Sequence, residues 1–277
     1  MEFLSYRNIQ GKLKKRGLLF KKPNLEDASN QFYSLARLLD DHKLYSGLCH
    51  LAVARCQNKK SSDQVGAYLN AARAFSQARN ETISVEDHIQ LVIWVYKEAL
   101  LICDRSFLRP IRLEMGRFYE SHHMFSQAAE CFKQSMCISR CVYNLILAKR
   151  YDIALDELKN CPSHILTSKD HTSMFLLELL LNEDFEELKR NSLQHLSSSS
   201  RSSTNRGLMP IDDHLFDLTG LLESLLLLQQ DKKVRQQQGV KFCSKDDKIR
   251  NLIVDRLCAF LDPAQTQLLH MINSSTN

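Results

Sequence analysis

Apolar and polar residues follow a helical rather than a strand-like period along nearly the whole chain, recurring at steps of three and four. The clearest stretch is 111–135, IRLEMGRFYESHHMFSQAAECFKQS, whose spacing predicts two short antiparallel helices packed together. Met115, Gly116 and Tyr119 share a face of the first, and Gly116 offers no side chain where a neighbouring helix must come close. On the second, Ala128, Phe132 and Ser135 follow at steps of four and three, so that large rings can fill grooves beside small residues. Phe125 is placed to seal the turn.

The same period predicts helices on both sides of this stretch. Residues 2–16 form one, with Phe3, Leu4, Ile9 and Leu13 on one side, until Pro23 breaks the pattern. Asn24 is the expected N-cap of a helix reaching about residue 41, with Glu26 and Asp27 in its first turn and a buried stripe of Phe32, Leu35, Ala36 and Leu39. Helices over 44–57 and 61–79 follow, the second repeating the Ala-Phe-small spacing as Ala71, Phe75 and Ala78. An apolar helix over 85–104 carries Trp94 and leads through Arg109 and Pro110 into the central pair. Beyond it, Tyr151, Ala154 and Leu158 repeat Phe125, Ala128 and Phe132 after too short an interval, so the helix between, 142–149, is expected to be truncated. A hairpin of 167–181 and 183–196, a helix over 212–230, another over 245–261 and a last helix with Leu268, Leu269 and Ile272 complete the chain. Asp262 and Pro263 separate the final two.

The order large, small, aromatic, then Ala and Phe, resembles a tetratricopeptide repeat, a pattern of about 34 residues that stacks into solenoids. Composition agrees: 8 Gly and 5 Pro are too few for a many-stranded protein. The expected fold is therefore all-α, an α-solenoid of tetratricopeptide-like helical hairpins over residues 1–196. Residues 197–210, SSSSRSSTNRGLMP, have no apolar periodicity and are expected to form a flexible Ser-rich loop, before C-terminal helices over 211–277 complete the solenoid. In this scheme Gly116, Tyr119, Ala128 and Phe132 pack the scaffold. No run of 18 apolar residues occurs and the start lacks a signal-peptide core, so no direct membrane insertion is expected. Nine cysteines scattered through apolar runs suggest a reducing compartment.

Charge changes this picture at one place. The net charge is +5, but residues 1–22 hold Arg7, Lys12, Lys14, Lys15, Arg16, Lys21 and Lys22 against Glu2 alone, which leaves the remainder at −1. Such a local patch argues against a protein wrapped in nucleic acid along its length. The basic run can meet acidic protein, anionic lipid or nucleic acid, or be a solvated helix face. Only Phe20 lies inside it, so base stacking is poorly supported and protein contact is the expectation. Apolar faces of the first and last helices, the latter at Leu268 and Leu269, need covering by a partner or by folding back onto the stack.

Catalytic chemistry finds little support. His122, His123, Cys131, Cys137 and Cys141 are suitable zinc ligands, yet no tight Cys-x-x-Cys pair is present, and Met136, Ile138 and Val142 suggest buried thiols instead. Cys103 or Cys161 paired with one of ten histidines is a combination any such chain offers. Without a Gly-rich phosphate loop or paired-acid motif, neither an enzyme nor a cofactor is expected.

Specific resemblance comes from Tyr6, Arg7, the run KLKKR at 12–16, Lys22-Pro23-Asn24, Gln31-Phe32, and above all LAVARCQ at 51–57, with Leu215-Phe216 and QLLH at 267–270 near the end. These residues resemble the family of the forty-kilodalton huntingtin-associated protein, as an invertebrate-like member. The chain departs from it by lacking a long proline-rich internal segment and by a shorter region around 135–150. The resemblance implies a tetratricopeptide-like solenoid that binds huntingtin, a large helical-repeat protein, as a 1:1 heterodimer, lying between its helical-repeat domains. It also implies a link to Rab5 and early endosome motility, with cytoplasmic, endosomal and nuclear locations. Partner contact is then expected at Arg7, Lys12, Lys14, Lys15, Arg16, Lys21, Lys22, Leu268 and Leu269. An alternative is a vesicle-trafficking adaptor resembling the soluble NSF attachment proteins, which also pair such solenoids with basic surface.

Overall fold

The structure is a computed structural model that describes residues 2–14, 24–57, 61–78, 84–181, 220–222, 224–230 and 244–274. Every regular element among them is an α-helix: α1 (Glu2–Lys14), α2 (Leu25–Leu38), α3 (Lys43–Cys56), α4 (Ser62–Gln77), α5 (Val85–Ile102), α6 (Arg105–Ser121), α7 (Phe125–Gln134), α8 (Ile138–Leu147), α9 (Tyr151–Lys159), α10 (Ser168–Leu181), α11 (Ser244–Cys258) and α12 (Pro263–Ser274). Residues 220–222 and 224–230 are also helical. The chain divides into two compact units, Met1–Ser121 and His122–Asn277. That boundary falls within the stretch 111–135, placing α6 in the first unit and α7 in the second. The expected Ser-rich loop 197–210 and the helix 183–196 lie outside the described residues.

In the first unit each helix packs on the next, α1 through α6. Side-chain caps fix the starts: Asn24 Oδ1 accepts from Asp27 N at 3.1 Å, Ser61 Oγ from Gln64 N at 3.1 Å and Ser84 Oγ from Asp87 N at 3.1 Å, each satisfying an N–H that the helix leaves unpaired. The expected stripe of α2 is buried, with Phe32 at 1% and Ala36 at 1% exposure. Phe75 on α4 is fully enclosed and rests against Gly47 on α3, where an added Cβ would stand 2.5 Å from Cε1 of the ring. Burying such a phenylalanine contributes about 1.5–3 kcal/mol. Polar bridges stitch the layers: Ser46 Oγ donates to Ala36 O at 3.0 Å, Gln57 Nε2 to Ser29 Oγ at 3.0 Å, and His88 Nε2 lies 2.6 Å from Phe75 O. α6 starts at Arg105, earlier than the expected 111, and contains Pro110. Pro110 has no N–H to donate to the carbonyl four residues before it, and Ile111, Met115, Phe118 and Tyr119 behind it are buried.

In the second unit α7, α8 and α9 are successive short helices, each packed on the next. The turns around them share one geometry, since His123, Met136 and Lys149 all have positive φ, at 57°, 57° and 58°. After α7, Met136 N donates to Lys133 O and Cys137 N to Phe132 O; after α8, Lys149 N donates to Ile146 O and Arg150 N to Leu145 O. These are Schellman C-caps with a non-glycine residue in the left-handed position. The period is 13 residues, so Ala128, Cys141 and Ala154 occupy equivalent buried sites, as do Phe132, Leu145 and Leu158. The short interval between the Ala128 and Ala154 motifs is thus two such steps. The helix between them, expected over 142–149, is α8, Ile138–Leu147, a short helix of 10 residues like α7, with Cys141 in the place of the small residue.

The last helix folds back onto this unit, packing on α8, α10 and α11. Asp262 and Gln265 form a reciprocal capping box, Gln265 N donating to Asp262 Oδ1 at 2.9 Å and Asp262 N to Gln265 Oε1 at 3.1 Å. Gln265 Nε2 also reaches Lys169 O at 2.9 Å and Ser173 Oγ at 3.0 Å on α10. Leu268 and Leu269 are both at 0% exposure. The expectation of partner contact at these two leucines is corrected: the chain's own helices cover them.

Candidate partner-binding surface

The basic amino-terminal run begins on α1, which is held down by Ile9, buried, and by Tyr6, whose ring centroid lies 5.3 Å from that of Phe32. Arg7 is exposed on the same helix. Lys12 and Lys14 fall in its last turn, where cations suit the negative end of the helix dipole. Their side chains, and all of Lys15, Arg16, Lys21 and Lys22, lie outside the described residues. Of these cations, Arg7 is the one whose side chain the structure describes.

A second surface is visible at the other end of the first unit, which the sequence reading passed over. Trp94 and Leu101 on α5 are 40% and 75% exposed, and Phe107 on α6 is 45% exposed. Lys97, Arg105 and Arg109 are exposed around them. The spacing 94, 97, 101 marks one face of α5 and was available as a signal, but an apolar helix reads more readily as core than as surface.

Behind it, three helices meet at a polar cluster. Arg73 on α4 grips Glu114 on α6 through two hydrogen bonds, Nε to Oε1 at 2.7 Å and Nη2 to Oε2 at 2.8 Å, and Tyr96 Oη on α5 donates to Oε1 at 3.0 Å. Burial pulls the Glu114 carboxyl upward, but the hydrogen bonds from Arg73 and Tyr96, with the charges of Arg73 and Arg117, outweigh it and hold the group below its ordinary value. Burial, reinforced by the Glu114 charge, pushes the Tyr96 phenol far above its usual range. The fork fixes how α4, α5 and α6 are disposed, and hence the surface beyond them.

In the second unit, a cleft of about 450 Å³ lies between α8, α10 and α12, with Ser139, Arg140, Tyr143, Thr167 and Asp262 in its walls. Asp170 beneath is buried and already committed, accepting from Ser139 Oγ at 2.8 Å, Thr167 N at 2.8 Å and Thr167 Oγ1 at 2.7 Å. Among the described residues no group of three or more His, Cys, Asp or Glu side chains is placed to hold a metal ion. Burial pushes the Cys49 thiol up to about 11 and the Cys141 thiol up to about 12, so neither forms a thiolate nucleophile near neutrality.

The scaffold residues are buried within their own units: Gly116 and Tyr119 in the first, Ala128 and Phe132 in the second. Gly47 lies in a small-residue helix and is followed three positions on by His50, where Gly116 is followed by Tyr119. No helix among the described residues is long and apolar enough to cross a membrane.

No protein-family model matches this chain. Over 79 residues, 27% of the chain, it is 43% identical to the 40-kDa huntingtin-associated protein of Rattus norvegicus, and the same figures hold for that of Mus musculus. The match spans 20% of the length of each of these relatives. The chain is related to them across that segment.

Proposed function

We propose that the chain is a non-enzymatic adaptor that binds huntingtin and stabilises its conformation. The observation that carries this reading is the segment 43% identical to the 40-kDa huntingtin-associated proteins of rat and mouse. The packed neighbouring helices support it, because the close Gly47–Phe75 contact is of the small-against-ring kind that a tetratricopeptide-like hairpin would use, and such layers present broad, rigid surfaces. On this reading the helices form a solenoid, huntingtin is bound as a 1:1 heterodimer, and Rab5-dependent early endosome motility is the process served, in the cytoplasm with an endosomal and nuclear share. Obligate interfaces commonly bury more than about 2,000 Å², so the isolated chain should be less soluble than the complex.

Co-expression tests it. Soluble yield of the chain should rise with huntingtin, and the two should co-elute in one peak of 1:1 composition. Equal monomeric yield with and without huntingtin, and no co-elution, would sink the reading.

A further inference from the structure

We propose that the elbow between α5 and α6 is a docking surface for an acidic amphipathic helix of a protein partner. Three large apolar side chains, Trp94, Leu101 and Phe107, stand open to solvent within one short segment, and Leu101 at 75% exposure gains almost nothing from the fold around it. Single exposed apolar residues are ordinary. Here, however, they flank the turn at Cys103 and Asp104, so Leu101 and Phe107 each lie within about one helical turn of it. Aromatic residues and arginine are the types enriched at protein interfaces and at their energetic centres.

Charge commits the surface to one kind of occupant. Between residues 97 and 113 the chain has Lys97, Arg105, Arg109 and Arg112 against Glu98 and Asp104, a net charge of +2. Lys97, Arg105 and Arg109 are exposed and make no ion pair among the described residues. Glu114, the next acid along, is consumed by Arg73 and Tyr96 and cannot neutralise them. A helix with an apolar stripe for Leu101 and Phe107 and carboxylates on its flank would satisfy both halves of this surface. A polyanion backbone would satisfy only the cations and leave the apolar residues wet.

This inference rests on the huntingtin-binding reading only through the probe. Huntingtin is titrated with the wild-type chain, with Leu101→Ser/Phe107→Ser, with Arg105→Glu/Arg109→Glu, and with Arg105→Lys/Arg109→Lys. All changes are at exposed positions, and circular dichroism confirms each variant's fold. The expected result is affinity weakened by about tenfold or more in the first two and within about threefold in the lysine variant, with the charge-reversed variant showing the shallower salt dependence. No binding by the wild type overturns the huntingtin reading. Binding by the wild type that both weakened variants reproduce overturns the elbow alone. Anionic vesicles or single-stranded DNA captured by the wild type, and lost on charge reversal while huntingtin binding persists, would also overturn it.

Discussion

Gly47 and Phe75, on neighbouring helices, are in direct contact, with no room for a single added carbon: a Cβ on Gly47 would meet Cδ1 of the ring at 2.6 Å and Cε1 at 2.5 Å. The ring is fully buried and cannot swing aside. Gly47→Ala should therefore lose about 1–3 kcal/mol by overpacking, despite the better helix propensity of alanine. Gly66, on α4, has nothing within 4 Å of the same added atom, so Gly66→Ala should leave stability unchanged or raise it by up to about 1 kcal/mol. Trp94 is the single tryptophan and lies in the first unit, so its fluorescence during urea unfolding reads both variants. Equal midpoints for the two would contradict the contact.

The left-handed turns offer a gain. Lys149 is exposed and held at φ 58°, a conformation that penalises a β-carbon by about 1–2 kcal/mol. Glycine relieves that strain but loses about 0.5–1 kcal/mol through its freer unfolded chain. Lys149→Gly should accordingly stabilise the second unit by up to about 1 kcal/mol, seen as slower amide exchange in α8 and α9. Faster exchange would mean that the lysine side chain supplies more than the turn withholds.

The Arg73–Glu114–Tyr96 fork should make the first unit acid-sensitive. Glu114 ionises below its ordinary value of 4.5 in the folded state, so its contribution is complete above that pH and is lost as pH falls through the folded value. Glu114→Gln keeps the shape but not the charge. Wild type should exceed this variant in urea midpoint at pH 7, and the gap should narrow on acidification; a gap independent of pH would count against the ion pair. Glu114→Ala strands the buried Tyr96 hydroxyl and should lose about 1–3 kcal/mol.

Leu268 and Leu269 are core residues, and their replacement should show it. Leu268→Ala or Leu269→Ala should destabilise the second unit by about 2–5 kcal/mol, read as an earlier thermal loss of helical signal. A variant with unchanged stability and selectively lost huntingtin binding would restore these leucines to the partner surface.

The chain by itself determined its helices. Periodicity, the cap at Asn24 and the stop at Asp262 and Pro263 depend on residues three or four apart, and those interactions form wherever the segment is placed. The stripe of Phe32, Leu35 and Ala36 was legible for the same reason. Even the 13-residue step of α7 to α9 was written there, hidden because Cys141 stands where Ala128 and Ala154 show the small residue openly. Only tertiary structure decided which faces meet. Arg73 finds Glu114 across 41 positions, Gly47 receives Phe75 from the next helix, and α12 turns Leu268 and Leu269 inward onto α8 and α10 rather than outward to a partner. An apolar stripe states that a face needs covering; whether the chain or another molecule covers it depends on contacts distant in sequence, which close packing settles and periodicity cannot.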